Sequence, residues 1–74
     1  QRYDLPEQAS VKIIIYDMLG RQVRTLINQT QDAGFKSVIW DGTNEFGKTV
    51  SAGIYLYQIK AKGFVQTRKM ILLK

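Results

Sequence analysis

The chain has 74 residues, too few for more than one domain, and its hydrophobic content of 45% with a single proline is typical of a folded protein. It contains no cysteine and no histidine, which excludes disulfides, thiolate metal sites and Ser–His or Cys–His catalysis. The net charge of +5 comes from basic residues spread along the chain. This pattern is typical of the solvated face of a sheet. The alternative interpretation is that the basic residues bind an anionic partner.

Short apolar runs and two-residue alternation predict strands throughout the chain and no helix. The first predicted strand covers residues 2–5 and is closed by a proline. The second, residues 11–17, carries apolar groups on both faces and is therefore expected at the centre of a sheet. A tight turn at Gly20 leads to the third strand, residues 22–27, which completes a hairpin.

The second half of the chain continues the same pattern. A polar loop, residues 28–33, precedes the fourth strand, residues 35–40, and the longest loop follows at residues 41–51. The clearest strand covers residues 53–61, and a two-residue turn joins it to a last strand at residues 64–73. Six to seven short strands predict one all-β domain, an antiparallel sandwich of the immunoglobulin or fibronectin-III type.

The carboxylates are the remaining candidates for catalysis, and each lies in or beside a predicted turn or strand end. None is paired with a nucleophile, so we predict a non-catalytic chain without a cofactor or a metal site. No apolar run is long enough to span a bilayer, so no transmembrane segment is expected. The carboxylates are Asp4, Glu7, Asp17, Asp32, Asp41 and Glu45.

The longest loop is preceded by Trp40 and contains Asp41, Gly42 and Gly47. Its clustered side-chain oxygens raise a calcium loop as one interpretation, because hard cations bind such groups, but the alternating acidic ligands of an EF-hand are missing. In the structural alternative, the acidic and amide side chains bond their own backbone while the glycines adopt turn conformations. We favour the structural interpretation and leave cation binding open.

Small residues precede the aromatic-rich fifth strand, where Gly53 permits close approach of another backbone. If the rings of Tyr55 and Tyr57 are exposed, they form a platform on which sugars could stack. If they are buried with Trp40, each hydroxyl still needs a hydrogen-bond partner. Their inward-looking strand positions favour the core.

Four consecutive apolar residues near the end of the chain put hydrophobic groups on both faces of the last strand. Such a strand either docks between two sheets or is kept for a partner that adds a strand, including a second copy in a dimer. The residues of this tail are Lys69, Met70, Ile71, Leu72, Leu73 and Lys74.

These motifs, taken in chain order, resemble the C-terminal sorting domain of proteins exported by the type IX secretion system (the Por secretion tail). The resemblance implies an immunoglobulin-like sandwich at the C-terminus of a larger secreted cargo protein. Its partners would be the outer-membrane translocon and the cell-surface attachment machinery, reached through the periplasm. It also implies that Gly53, Tyr55 and the tail from Lys69 to Lys74 are the recognition residues.

The chain is also similar to the immunoglobulin-like domain of the flagellar hook-capping protein, in the Trp-Asp-Gly loop and the Ala-Gly-x-Tyr strand. That family matches the basic and apolar tail less well. Of the two resemblances, the tail therefore favours the sorting domain, and we predict a sorting and anchoring function. The alternative is a non-catalytic accessory domain of an extracellular hydrolase, acting as a spacer or binding carbohydrate or protein. No aromatic and basic motif supports specific nucleic-acid binding.

Overall fold

The computed structural model describes residues 1–73, and these form six β-strands. Nowhere in this described part does a helix occur that is long and apolar enough to cross a membrane. The strands are β1 (Arg2–Leu5), β2 (Ala9–Tyr16), β3 (Gln22–Gln31), β4 (Gly34–Ser37), β5 (Gly53–Ala61) and β6 (Phe64–Leu72).

The six strands form two antiparallel sheets that share one core. The small sheet pairs β1 with β4, and the large sheet has the strand order β3-β2-β5-β6. The second strand therefore lies between two neighbours, which confirms its predicted central position. The predicted all-β immunoglobulin-like sandwich is also confirmed.

The core lies between the two sheets and is filled by every second side chain of β1, β2 and β5, since alternate residues of a strand face the same side. Burying each large apolar side chain contributes about 1.5–3 kcal/mol before the entropic cost of folding is counted. Ile14 is also buried, but it points to the opposite face of β2 and lies outside this cluster. The core side chains are Tyr3, Leu5, Ala9, Val11, Ile13, Ile15, Trp40, Tyr55, Tyr57 and Ile59.

Arg68 of β6 ties the large sheet to the start of the chain. Its guanidinium donates to the main-chain oxygen of Arg2 at 2.8 Å and to the Tyr57 hydroxyl at 3.2 Å. The Tyr57 hydroxyl in turn donates to the side-chain oxygen of Gln1 at 2.8 Å. These bonds fix β1 over the β5–β6 hairpin and satisfy a buried hydroxyl.

The third strand is longer than predicted, so the predicted loop over residues 28–33 is wrong for its first four residues. Hydrophobic alternation stops at Ile27, but main-chain pairing with β2 continues as far as the pair of Ala9 with Gln31. The reason is that β2 starts two residues earlier than predicted and offers partners for a longer strand. Polar side chains are tolerated there because β3 is an edge strand.

The fourth strand is shorter than predicted and ends at Ser37 instead of residue 40. Its partner β1 begins at Arg2, so pairing runs out, and only Val38 still exchanges main-chain bonds with Gln1. Trp40 then turns back into the core. The last strand ends at Leu72, one residue before the predicted end, because β5 starts at Gly53.

Candidate functional site

Asp41 organises the start of the loop between β4 and β5. Its carboxylate accepts the main-chain N–H of Thr43 at 3.0 Å and the Thr43 hydroxyl at 2.6 Å. Arg24 of β3 donates to the same carboxylate at 3.2 Å and also to the Thr43 hydroxyl. These contacts, above all the Thr43 hydroxyl, lower the pKa of Asp41 below its ordinary value.

Asn44 builds the second turn of this loop. Its side-chain oxygen accepts the main-chain N–H of Phe46 at 2.9 Å and that of Lys48 at 3.1 Å. Gly47 closes the turn with a φ of 78°, a left-handed conformation that glycine adopts without strain. The predicted turn-forming role of Gly47 is confirmed.

Glu45 fastens the loop to the outer edge of β3. Its N–H donates to the main-chain oxygen of Val23 at 3.1 Å, and its carboxylate accepts the main-chain N–H of Thr25. The oxygens that suggested a calcium loop are thus occupied by main-chain donors, as in the structural interpretation. Among residues 1–73, no three His, Cys, Asp or Glu side chains lie close enough to hold a metal ion.

Trp40 and Tyr55 are core residues and not an exposed platform. Their rings meet edge to face, with centroids 5.0 Å apart and planes at 73°. The Trp40 indole N–H donates to the main-chain oxygen of Thr43 at 2.8 Å, and the Tyr55 hydroxyl donates to that of Ser51 at 2.6 Å. The predicted burial of the aromatic residues is therefore confirmed, with each polar group paired.

Gly42 connects the loop to the last strand. Its φ is 79°, and a Cβ at this position would lie 3.3 Å from the side chain of Leu72. Glycine suits the left-handed backbone here, and a larger residue would also force the side chain of Leu72 to shift by a few tenths of an ångström. The sequence indicated the turn, but nothing in it pointed to Leu72 as the neighbour.

The predicted recognition residues fall into two sets. Gly53 and Tyr55 lie on β5 directly opposite Leu72 and Met70, all of which contribute to the interior or to the strand pairing. Lys69 and Ile71 of β6 are exposed, as is Leu73 just beyond the strand. Lys74 lies outside the described residues. The structure thus brings Gly53 and Tyr55 next to the tail, although Tyr55 is buried and presents no ring to a partner.

An open groove of about 520 Å³ lies where the small sheet meets β6. It combines three cationic side chains with the exposed ring of Phe35 and a single carboxylate, that of Asp4. Sequence reasoning missed this groove because its residues come from three strands far apart in the chain. The lining residues are Arg2, Tyr3, Asp4, Phe35, Lys36, Ser37 and Arg68.

The fold and the loop geometry define a small immunoglobulin-like domain. Residues 1–63 match the model of the FlgD immunoglobulin-like domain family, and the chain belongs to that family. Among solved structures, FlgD from P. aeruginosa is similar, with 31% identity and a TM-score of 0.68 over 96% of this chain. The chain spans 56% of the length of that FlgD chain. Comparison with curated proteins gave no match.

The predicted type IX sorting and anchoring function is wrong. Both the family and the solved structure point to FlgD, the hook-capping relative that the loop and the fifth strand resemble. The error came from letting the basic and apolar tail decide between the two families. In the structure, part of that tail is an ordinary final strand, with Met70 and Leu72 packed against the core and Ile71 facing outward.

Proposed function

We propose that this chain is a non-catalytic immunoglobulin-like domain of a FlgD-like flagellar hook-capping protein, where it serves as a structural and protein-contacting module. The observation that carries the proposal is the family match over residues 1–63, joined by the likeness to FlgD from P. aeruginosa over nearly the whole chain. The proposal puts the domain outside the cytoplasm, where hooks are assembled.

The use of the polar side chains supports a structural role. Asp17, Asp41 and Asn44 each accept main-chain N–H groups within their own turns, and Glu45 accepts one from β3. Side chains engaged in this way hold loops in place and are poorly suited to exchange protons with a substrate. The rings of Trp40, Tyr55 and Tyr57 are buried, which argues against the sugar-stacking platform considered for the fifth strand.

Deletion of this domain from the full-length protein that carries it tests the proposal. We expect the truncated protein to be made at normal levels but to fail in hook assembly, counted by electron microscopy of the cell surface. A matched control is Phe46→Ser, which alters an exposed loop side chain and is expected to leave hooks normal. Normal hooks in the deletion strain, with the truncated protein present, would refute the proposal.

A further inference from the structure

The outer edge of β6 differs from the other outer edge of the large sheet. The β5–β6 ladder runs through nine consecutive pairs without a shift, from Gly53 with Leu72 to Ala61 with Phe64. By contrast, β3 carries two irregularities in its pairing, and Glu45 covers part of its edge. Bulges and covering loops are common devices that stop strands from pairing at an edge, and β6 has neither in the described residues.

The backbone geometry shows which groups face this edge. In antiparallel pairs, hydrogen-bonded and non-hydrogen-bonded residues alternate, and Ala61 and Phe64 flank a two-residue turn as a hydrogen-bonded pair. The alternate residues of β6 therefore direct their N–H and C=O groups away from β5. These residues are Val65, Thr67, Lys69 and Ile71, all with exposed side chains.

The charged residues in the part of the chain that includes β6 are all basic. Residues 1–45 hold five basic and six acidic residues, whereas residues 46–74 hold six basic and none that are acidic. Within residues 1–73 the ion pairs are Arg21 with Asp17 and Arg24 with Asp41, and neither includes a residue of β6. Arg68 and Lys69 thus present positive charge without an acidic partner in the described chain, and the groove beside Arg68 adds more.

We propose that the free edge of β6 binds an extended acidic segment of another protein by strand addition. Its main chain would pair with β6, its carboxylates would meet Lys69 on one face and Arg68 on the other, and its apolar residues would contact Val65 and Ile71. A second copy of this chain fits less well, because antiparallel pairing about Arg68, the central residue of β6, sets Arg68 opposite its own equivalent and Lys69 diagonally across from its own. The proposal rests on the fold and charge of the chain and is independent of its role in a hook cap.

The test uses the full chain and a fluorescent peptide with a central pair of adjacent glutamates flanked by alternating threonine and valine, because adjacent strand residues face opposite sides and so place one carboxylate on each face. The matched peptide has two lysines in place of the two glutamates. We expect only the acidic peptide to bind, as measured by fluorescence anisotropy. We also expect hydrogen exchange followed by NMR to show new protection at the amides of Val65, Thr67, Lys69 and Ile71. Binding without protection of these four amides would overturn strand addition.

Two substitutions separate backbone pairing from charge. Thr67→Pro removes one edge-facing N–H without removing a bond to β5, and we expect it to weaken binding about tenfold. Thr67→Ala keeps that N–H and should stay within about twofold of the original chain. Lys69→Glu should weaken binding of the acidic peptide about tenfold. This variant tests the proposal even if the Thr67→Pro chain does not fold.

Three results would contradict the proposal. The first is unchanged binding by the folded Thr67→Pro or Lys69→Glu chain. The second is equal binding of dextran sulfate and the acidic peptide with no amide protection, since that indicates attraction of polyanions alone. The third is protection of the β6 amides that rises with protein concentration in the absence of peptide, since that indicates pairing between two copies.

Discussion

Gly42 is constrained in two ways, by its left-handed backbone conformation and by the nearby side chain of Leu72. Gly42→Ala puts an alanine in a left-handed conformation and drives its Cβ against Leu72, so we expect a loss of about 1–3 kcal/mol in the free energy of unfolding. Gly20→Ala is the matched control, because Gly20 has a φ of 83° with no atom near the added Cβ. Urea unfolding of both variants measures the difference.

A larger loss for Gly42→Ala than for Gly20→Ala assigns the excess to the contact with Leu72. Equal losses would show that the Leu72 side chain makes room for the added Cβ without cost, contrary to the tight packing described above.

Two carboxylates make stability depend on pH at the acid end. The pKa of Asp17 is held below its ordinary value of 3.8 chiefly by the main-chain N–H of Arg21, with further bonds from the Arg21 guanidinium and the Leu19 N–H. Asp41 is lowered in the same direction. Because the pKa is lower in the folded state, this stabilisation is complete above the unfolded-state pKa of about 4 and disappears as pH falls through the folded-state values.

We therefore expect the melting temperature to fall as pH drops below about 4, and to fall less steeply in the double variant Asp17→Asn, Asp41→Asn. Thermal unfolding followed by circular dichroism between neutral and acid pH measures both slopes. Identical slopes for the two proteins would show that these carboxylates do not contribute.

At the scale of elements, strand identity was predictable where apolar residues alternate, but strand length was predictable only for some of the strands. β5 was predicted with its observed bounds because its buried and exposed positions alternate from end to end. The polar second half of β3 carries no such signal, since its pairing comes from the main chain of β2. The end of β4 was likewise set by where β1 begins, which is a property of the partner strand.

The candidate site was predictable to a similar extent. Local turn chemistry at Asp41, Asn44 and Gly47 can be read from neighbouring residues. The attachment of Glu45 to β3 and the groove at Arg68 depend on residues distant in the chain, so no local motif could have indicated them.

The loop between β4 and β5, which is hydrogen-bonded to β3 through Glu45, gives a prediction about this element. Asn44→Ala removes the acceptor of two main-chain N–H groups, and we expect a cost of about 1–2 kcal/mol in the free energy of unfolding. Hydrogen exchange should quicken at Phe46 and Lys48 as the turn loosens. Thr49→Ala, in the same loop, is the control and should leave exchange at these two amides unchanged.

For the whole molecule, Arg68 is the link between the large sheet and β1. Arg68→Met keeps most of the aliphatic stem but loses the bonds to Arg2 and Tyr57, and we expect it to cost about 1 kcal/mol. Lys69→Met on the opposite face of the strand is the control and should be close to neutral. Equal effects in chemical unfolding would mean that the Arg68 bonds do not hold the sheets together.

The assignment to the FlgD family also belongs to the whole molecule, because the Trp-Asp-Gly loop and the Ala-Gly-x-Tyr strand resemble both of the families considered. In this sandwich the two motifs pack against each other through the contact of Trp40 with Tyr55. Similarity over residues 1–63 and, in a solved structure, over 96% of the chain was needed to choose between the two families.

The most direct test of the proposed function is a domain exchange. Residues 1–74 would replace the matching segment of FlgD from P. aeruginosa, and the chimera would be expressed in cells that lack their own FlgD. We expect hooks to form, counted by electron microscopy, and to be lost when the chimera also carries the core substitution Trp40→Ala. A chimera that is folded and present in normal amounts but assembles no hooks would contradict the proposal.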